Sequence, residues 1–197
     1  MDFEITQQIL GAMAVIVGLL GYMYYIIGIL KGEIKPHAFT WFVWGTLTSI
    51  AFFAQITDGA GPGAWVTGIT ALMSFVFMFI GLGASSRIYI VRSDWYLLIA
   101  TLISIPIWYF SGDPLFAVIL ITIIDAVAFA PTFRKAYFHP ETENTNTYAL
   151  SGIKFIFAIF ALENITIVTA LYPLSLVVAN GAFVAMMLWR KAALSEK

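Results

Sequence analysis

An aspartate at position 125 interrupts the apolar run "VILITIIDAVAFAPTFRKAYF", residues 118–138, which closes on a proline and two basic residues. Lys154 and Asn180 interrupt two later apolar runs in the same way. An ion at the middle of such a run costs about 2.5–3.5 kcal/mol in lipid even on lenient insertion scales, so each charge must turn towards other helices. Their similar depth predicts that Asp125 and Lys154 pair with each other. A buried pair explains both residues as a brace between two helices, because losing one partner strands the other charge. The competing reading is that both line a polar cavity with Asn180, an amide that also serves as glue between helices. Trp44, a full turn deeper than Trp41, is a candidate for stacking on a ring-shaped solute. Thr48 and Ser74 join this candidate site from a set of first-half hydroxyls, Thr46, Thr48, Ser49, Thr70 and Ser74, for which the plain alternative is a bond to their own helix backbone.

No catalytic residue is assigned. The chain has no cysteine, which excludes disulfides and thiolate metal sites, and its two histidines, His37 and His139, stand in separate short polar segments. Neither a metal nor any other cofactor is expected, nor a nucleic-acid partner. With no histidine, cysteine or carboxylate pair at membrane depth, an enzyme is the least favoured class.

The elements that position these residues follow from composition. Of 197 residues, 61% are hydrophobic and 11% charged, a balance that suits helices surrounded by lipid and leaves too little charge to cover a soluble domain. The fold class expected is an all-α integral membrane protein. Apolar runs of about 20 residues, the length that spans hydrocarbon, fall near 8–30, 38–57, 63–84, 95–111, 114–135, 146–163 and 171–189. The breaks between these seven carry charge with Gly, Pro, Asn and Ser. The weakest is "ENITIVTALYP", where only Glu163, Asn164 and Pro173 interrupt a greasy stretch. The first run lacks a basic leader and is too long for a cleavable signal.

Lys31, Lys35, Arg87, Arg92, Arg134, Lys135, Arg190, Lys191 and Lys197 fall on one side of a seven-helix chain, and Asp2, Glu4, Asp58, Asp113 and Glu163 on the other. The positive-inside rule then puts the N-terminus outside and the C-terminus in the cytoplasm, as expected of a multi-pass protein of the cell (inner) membrane. Asp58 and Glu163 close helices 2 and 6 at equivalent places and are candidates for an acidic rim at the outer mouth; the alternative is two solvated loop carboxylates. Pro131 is a candidate gate at the inner end of helix 5. Trp95, Trp108, Tyr109 and Trp189 lie near run ends and, with Trp41 and Tyr148, read as interface anchors. Gly11, Gly18, Gly21 and Gly28 stripe helix 1 for close packing. "NIT" at Asn164 matches a glycosylation sequon close to the membrane.

A shift of 107 residues lays "TWFVWGTLTSIAFFAQITDGAGPGAWVTGITALMSF" on "TYALSGIKFIFAIFALENITIVTALYPLSLVVANGA" without a gap. Few identities survive, but the layout does: polar entry, apolar helix, acidic or amide break, and an aromatic (Trp65, Tyr172) at the next helix. Two parallel three-helix bundles, 1–84 and 113–197, would then be joined by a linker helix within 85–112. With "FAPTFRK" closing the fifth helix and "NG" at Asn180 and Gly181 in the seventh, this three-plus-one-plus-three arrangement resembles the SWEET and PQ-loop superfamily of small-solute carriers. "WFVW", Trp41 to Trp44, is also similar to a W-x-x-W segment of the PnuC vitamin transporters. Thr132 stands where the PQ-loop pattern has glutamine, the first half has no matching proline, and Met73 stands opposite Asn180.

The resemblance implies a carrier that moves a small polar or uncharged solute, a sugar or nucleoside-like vitamin, by alternating access. The alternative it permits is a non-transporting receptor or assembly subunit on the same scaffold. The partners expected are a small-molecule solute and the lipid bilayer, with a homo-oligomer possible.

Overall fold

The computed structural model describes residues 3–32, 34, 36, 38–83, 92–138, 140 and 143–195, except for the side chains of residues 3, 93, 94, 131, 135 and 195. His37, His139, Lys35, Arg87 and Lys197 lie outside the described residues. The described chain is all helical: α1 (Phe3–Leu30), α2 (Ala38–Thr57), a 3₁₀ turn (Gly61–Ala64), α3 (Trp65–Gly83), α4 (Arg92–Ser111), α5 (Pro114–Phe138), α6 (Thr145–Phe160) and α7 (Ile167–Ser195). Five stretches, α1, α2, the 3₁₀ turn with α3, α5 and α7, are long and apolar enough to cross a membrane. The apolar part of α4 is shorter, Trp95–Ser111. The 16 residues of α6 reach about 24 Å at 1.5 Å per residue, less than the roughly 30 Å of a hydrocarbon core. Large apolar side chains face outward, among them Ile16, Phe79, Ile123, Val127 and Val178, as lipid-facing surface requires.

Local chemistry sets the ends. Asp113 precedes Pro114 and accepts from the backbone N–H groups of Leu115 (2.9 Å) and Phe116 (3.3 Å), so α5 starts with an N-cap carboxylate and a proline at its first position. Asn144 caps α6 through the N–H of Asn146 at 2.9 Å. Past α2, Ala60 N–H returns to the Gln55 carbonyl and Gly59 N–H to that of Ile56, a Schellman closure that needs the positive φ of Gly59, +72°.

The last break differs from expectation. Helix α6 stops at Phe160 and α7 begins at Ile167, four residues before the expected start at 171, and passes through Pro173. Thr166 and Thr169 make the start: Thr169 N–H donates to Thr166 Oγ1 (3.2 Å) while Thr166 N–H donates to Thr169 Oγ1 (2.9 Å). This is a capping box with threonine in place of the usual Glu or Gln. Pro173 cannot donate to the carbonyl four residues back, and that Thr169 carbonyl instead receives the side-chain amide of Gln55 from α2 at 3.0 Å.

The helices alternate in direction. At one end, Glu163 N–H bonds the Ala60 carbonyl (3.1 Å), Gln7 Nε2 bonds the Leu162 carbonyl (2.7 Å), and Thr166 Oγ1 bonds Asp58. These contacts gather the start of α1, the end of α2, the end of α6 and the start of α7. At the other end, Arg190 of α7 donates to the Tyr137 carbonyl of α5 (2.9 Å), and Lys191 to Thr145 of α6 (3.0 Å). The edge contact of Phe39 with Trp95 and the stack of Phe53 on Trp108 hold α4 parallel to α2 along its outer side. Beyond the hairpin-like neighbours α2 with α3 and α6 with α7, the main pairings are α1 with α6, α5 with α7, α2 with α5, α4 with α5 and α1 with α3.

The glycines of α1 allow close approach. A Cβ on Gly11 would lie 2.8 Å from the Pro62 carbonyl oxygen, and one on Gly18 would lie 3.3 Å from both Lys154 Cδ and Val66.

Candidate functional site

A cavity of about 160 Å³ lies between the helices, and Asp125, Lys154, Asn180, Trp44, Ser74 and Thr48 all line it. Both halves supply aromatic rings and hydroxyls, and the second half alone supplies the ions and the amide. All three of those polar side chains are at most 4% exposed.

The expected ion pair is not formed. Lys154 Nζ donates to Tyr22 Oη at 2.8 Å and Thr70 Oγ1 at 3.0 Å, and it lies over the rings of Tyr22 (4.7 Å) and Phe155 (4.8 Å). Asp125 Oδ1 is buried without a hydrogen-bond partner. The reason is architectural: α6 packs on α1 while α5 packs on α2, so the two residues stand on different walls. Although α5 and α6 follow one another in the chain, they do not pack side by side here. Gln55 Oε1 and Thr67 Oγ1 are the other buried side-chain atoms without a partner among the described residues, and neither residue lines the cavity.

The hydroxyls largely follow the plain alternative. Thr48 donates to the Trp44 carbonyl (2.6 Å), Ser49 to Gly45 (2.7 Å), Thr70 to Val66 (2.7 Å) and Ser74 to Thr70 (2.8 Å). Their lone pairs remain available, and Thr70 uses one to accept from Lys154. Asn180 Nδ2 likewise donates to the Leu176 carbonyl at 2.7 Å, within its own helix.

Trp41 and Tyr148, expected as interface anchors, line the cavity instead. Trp41 Nε1 donates to Tyr25 Oη at 3.0 Å, and its ring packs on Trp44 and Phe77. Trp44 faces Phe129 with ring centroids 6.2 Å apart, and Phe129 in turn meets Tyr148. These rings form an aromatic layer where α1 ends and α2 and α6 begin. Trp95, Tyr109 and Trp189 are more than half exposed, and Trp108 is partly buried against Phe53 and the core.

Asp58 and Glu163 do not line the cavity; they belong to its closed opposite end. Asp58 is bonded to Thr166, and Glu163 lies over Gly61, where a Cβ would come 2.3 Å from its carboxyl carbon. Gly61 also has a φ of +58°, so glycine is required there twice over. The Asn164 amide nitrogen lies over Gly59 in the same interlock. Below these loops, Ala60, Ala64 and Leu162 form a buried apolar plug. Pro131 falls within α5, which continues through it, and its side chain lies outside the described residues.

Tyr22 and Tyr25 were not singled out from the sequence. The signal was their spacing from Gly18, which places all three on one face of α1 at intervals of four and three residues. Gln7 and Gln55 were missed as well, because their role depends on orphan carbonyls in the other half of the chain. Compared with family models, with characterised proteins and with solved structures, the chain matches none.

Proposed function

We propose that this chain is a membrane carrier for a small polar solute and that it works by alternating access between two three-helix bundles, α1–α3 and α5–α7, with α4 as linker. The observation that carries the reading is the cavity itself, a largely apolar space that Asp125, Lys154 and Asn180 also line, walled by both halves and bounded at one end by interlocked loops. Ionisable groups kept inside an apolar bundle mark a solute path, and the Oδ1 of Asp125 has no partner within the protein. Packing supports the duplication: replacing α1, α2 and α3 by α5, α6 and α7 turns the pairings α1–α3, α2–α3 and α1–α6 into α5–α7, α6–α7 and α5–α2, all of which occur. Asp125 falls opposite Gly18 and Asn180 opposite Met73 in that register, so the two halves contribute different chemistry.

All seven helices cross the membrane in this reading, with the Asp58–Glu163 end outside and the end bearing Lys31, Arg92, Arg134, Arg190 and Lys191 in the cytoplasm. The sealed outer loops and the cavity reaching the aromatic layer correspond to an outward-closed state. The resemblance to SWEET, PQ-loop and PnuC carriers points to a sugar or nucleoside-like vitamin. The cavity limits the solute to about one ring, since an engineered cavity of roughly 150 Å³ takes one benzene.

Reconstituted protein should give saturable flux of a labelled small solute, and Asn180→Leu, which keeps volume but removes the amide, should lower it about tenfold or more. Absence of flux across monosaccharides, nucleosides and amino acids, with a protein partner co-purifying, would favour a receptor on this scaffold instead.

A further inference from the structure

Resting on the carrier reading, the two charges that fail to meet narrow the class of solute. Asp125 presents a buried carboxylate oxygen with no donor. Lys154 is pinned by Tyr22 and Thr70 and by two aromatic faces, which use two of its three protons and hold it on the α1 wall. Both residues are buried and both line the one cavity. A purely structural pair would close on itself, because an uncompensated charge in low dielectric is costly. Here the two charges do not meet, although both line the same cavity.

We infer that the solute is a small zwitterion of the amino-acid class, whose ammonium group meets Asp125 and whose carboxylate meets Lys154. A neutral sugar can hydrogen-bond to both groups but compensates neither charge. A simple acid or a simple amine compensates one and strands the other. A zwitterion matches both with charge-assisted bonds, which are shorter and stronger than neutral ones. The remaining wall suits an apolar side chain: Trp44, Phe129, Phe155 and Leu176 face the same space. Sparse polar groups set in an apolar, aromatic lining are the usual composition of a small-molecule site. The volume of about 160 Å³ admits side chains the size of alanine to leucine and excludes tryptophan.

The test uses the purified full-length protein in detergent, with tryptophan fluorescence (Trp44 is in the wall) and thermal stabilisation as binding readouts. The probes are L-alanine, L-valine and L-leucine, the amide and N-acetyl derivative of each, and glucose. At least one free amino acid should bind, and its amide and its N-acetyl derivative should each bind about tenfold more weakly or worse, the factor of one charge-assisted hydrogen bond. Asp125→Asn should remove the discrimination against the N-acetyl form, and Lys154→Gln that against the amide. Equal binding of the derivatives and the parent by the unaltered protein would overturn the inference even if neither variant folds. Glucose flux without a response to any amino acid would also overturn it and leave the carrier reading in place. Amino-acid binding with this charge dependence but no flux would support the zwitterion site and remove the carrier.

Discussion

Lys154 is held by two hydroxyls and two rings, and Asp125 by none of these, so substituting them should have unequal and independent effects. Lys154→Met strips the Tyr22 and Thr70 oxygens of their donor and should cost about 1–3 kcal/mol. Asp125→Asn removes a charge that the protein does not compensate and should leave stability unchanged or raised. Chemical unfolding of the two single variants and the double should give a coupling energy of about 0.5 kcal/mol or less. A pair in contact would show several kcal/mol and a double variant milder than either single. The candidate residues were readable as polar groups in apolar runs, with Trp44 chosen for its depth, and these six share one cavity. What each one touches was not, because Asp125 and Lys154 match in depth and differ in wall, and depth is all that a linear sequence reports.

Helix α7 carries Pro173 as its seventh residue, and it survives because α2 completes its hydrogen bonding. Gln55→Leu should therefore cost about 1–3 kcal/mol by orphaning the Thr169 carbonyl. Pro173→Ala should rescue much of that loss, since it restores an N–H four residues along the same helix. A thermal-melt cycle in which the two substitutions simply add would contradict this link. Gly63 makes a similar contact between the halves: a Cβ there would lie 2.8 Å from the Ala158 carbonyl oxygen and 3.0 Å from Leu162 Cα. Backbone on both sides leaves no room to relax, so Gly63→Ala should destabilise by about 1–3 kcal/mol, with Gly83→Ala, which meets nothing within 4 Å, as the control. Most helix limits were legible from apolar run and break, and α2 matches residue for residue at 38–57. The α6–α7 break was less so, because a threonine capping box and a proline completed by another helix have no hydropathy signature.

The helices alternate in direction so that the start of α1 and the end of α7 lie at opposite ends of the bundle. Reporters fused before Met1 and after Lys197 should report external and cytoplasmic locations; the same side for both would mean that one helix does not cross. The helical class and helices apolar enough to cross a membrane were legible from composition and apolar runs, whereas the interlocking of the halves through α1–α6 and α2–α5 was not, since it depends on contacts between segments distant in the chain. In the proposed carrier, one cavity is reached alternately from both faces. Because the chain has no cysteine, a single Ser74→Cys places one thiol on the cavity wall. In right-side-out and inside-out vesicles, a membrane-impermeant thiol reagent should modify it from either face. Adding Asp58→Cys and Thr166→Cys and oxidising them to a disulfide should abolish modification from the outer face alone, and a reductant should restore it. Modification from one face only, in every state, would contradict alternating access.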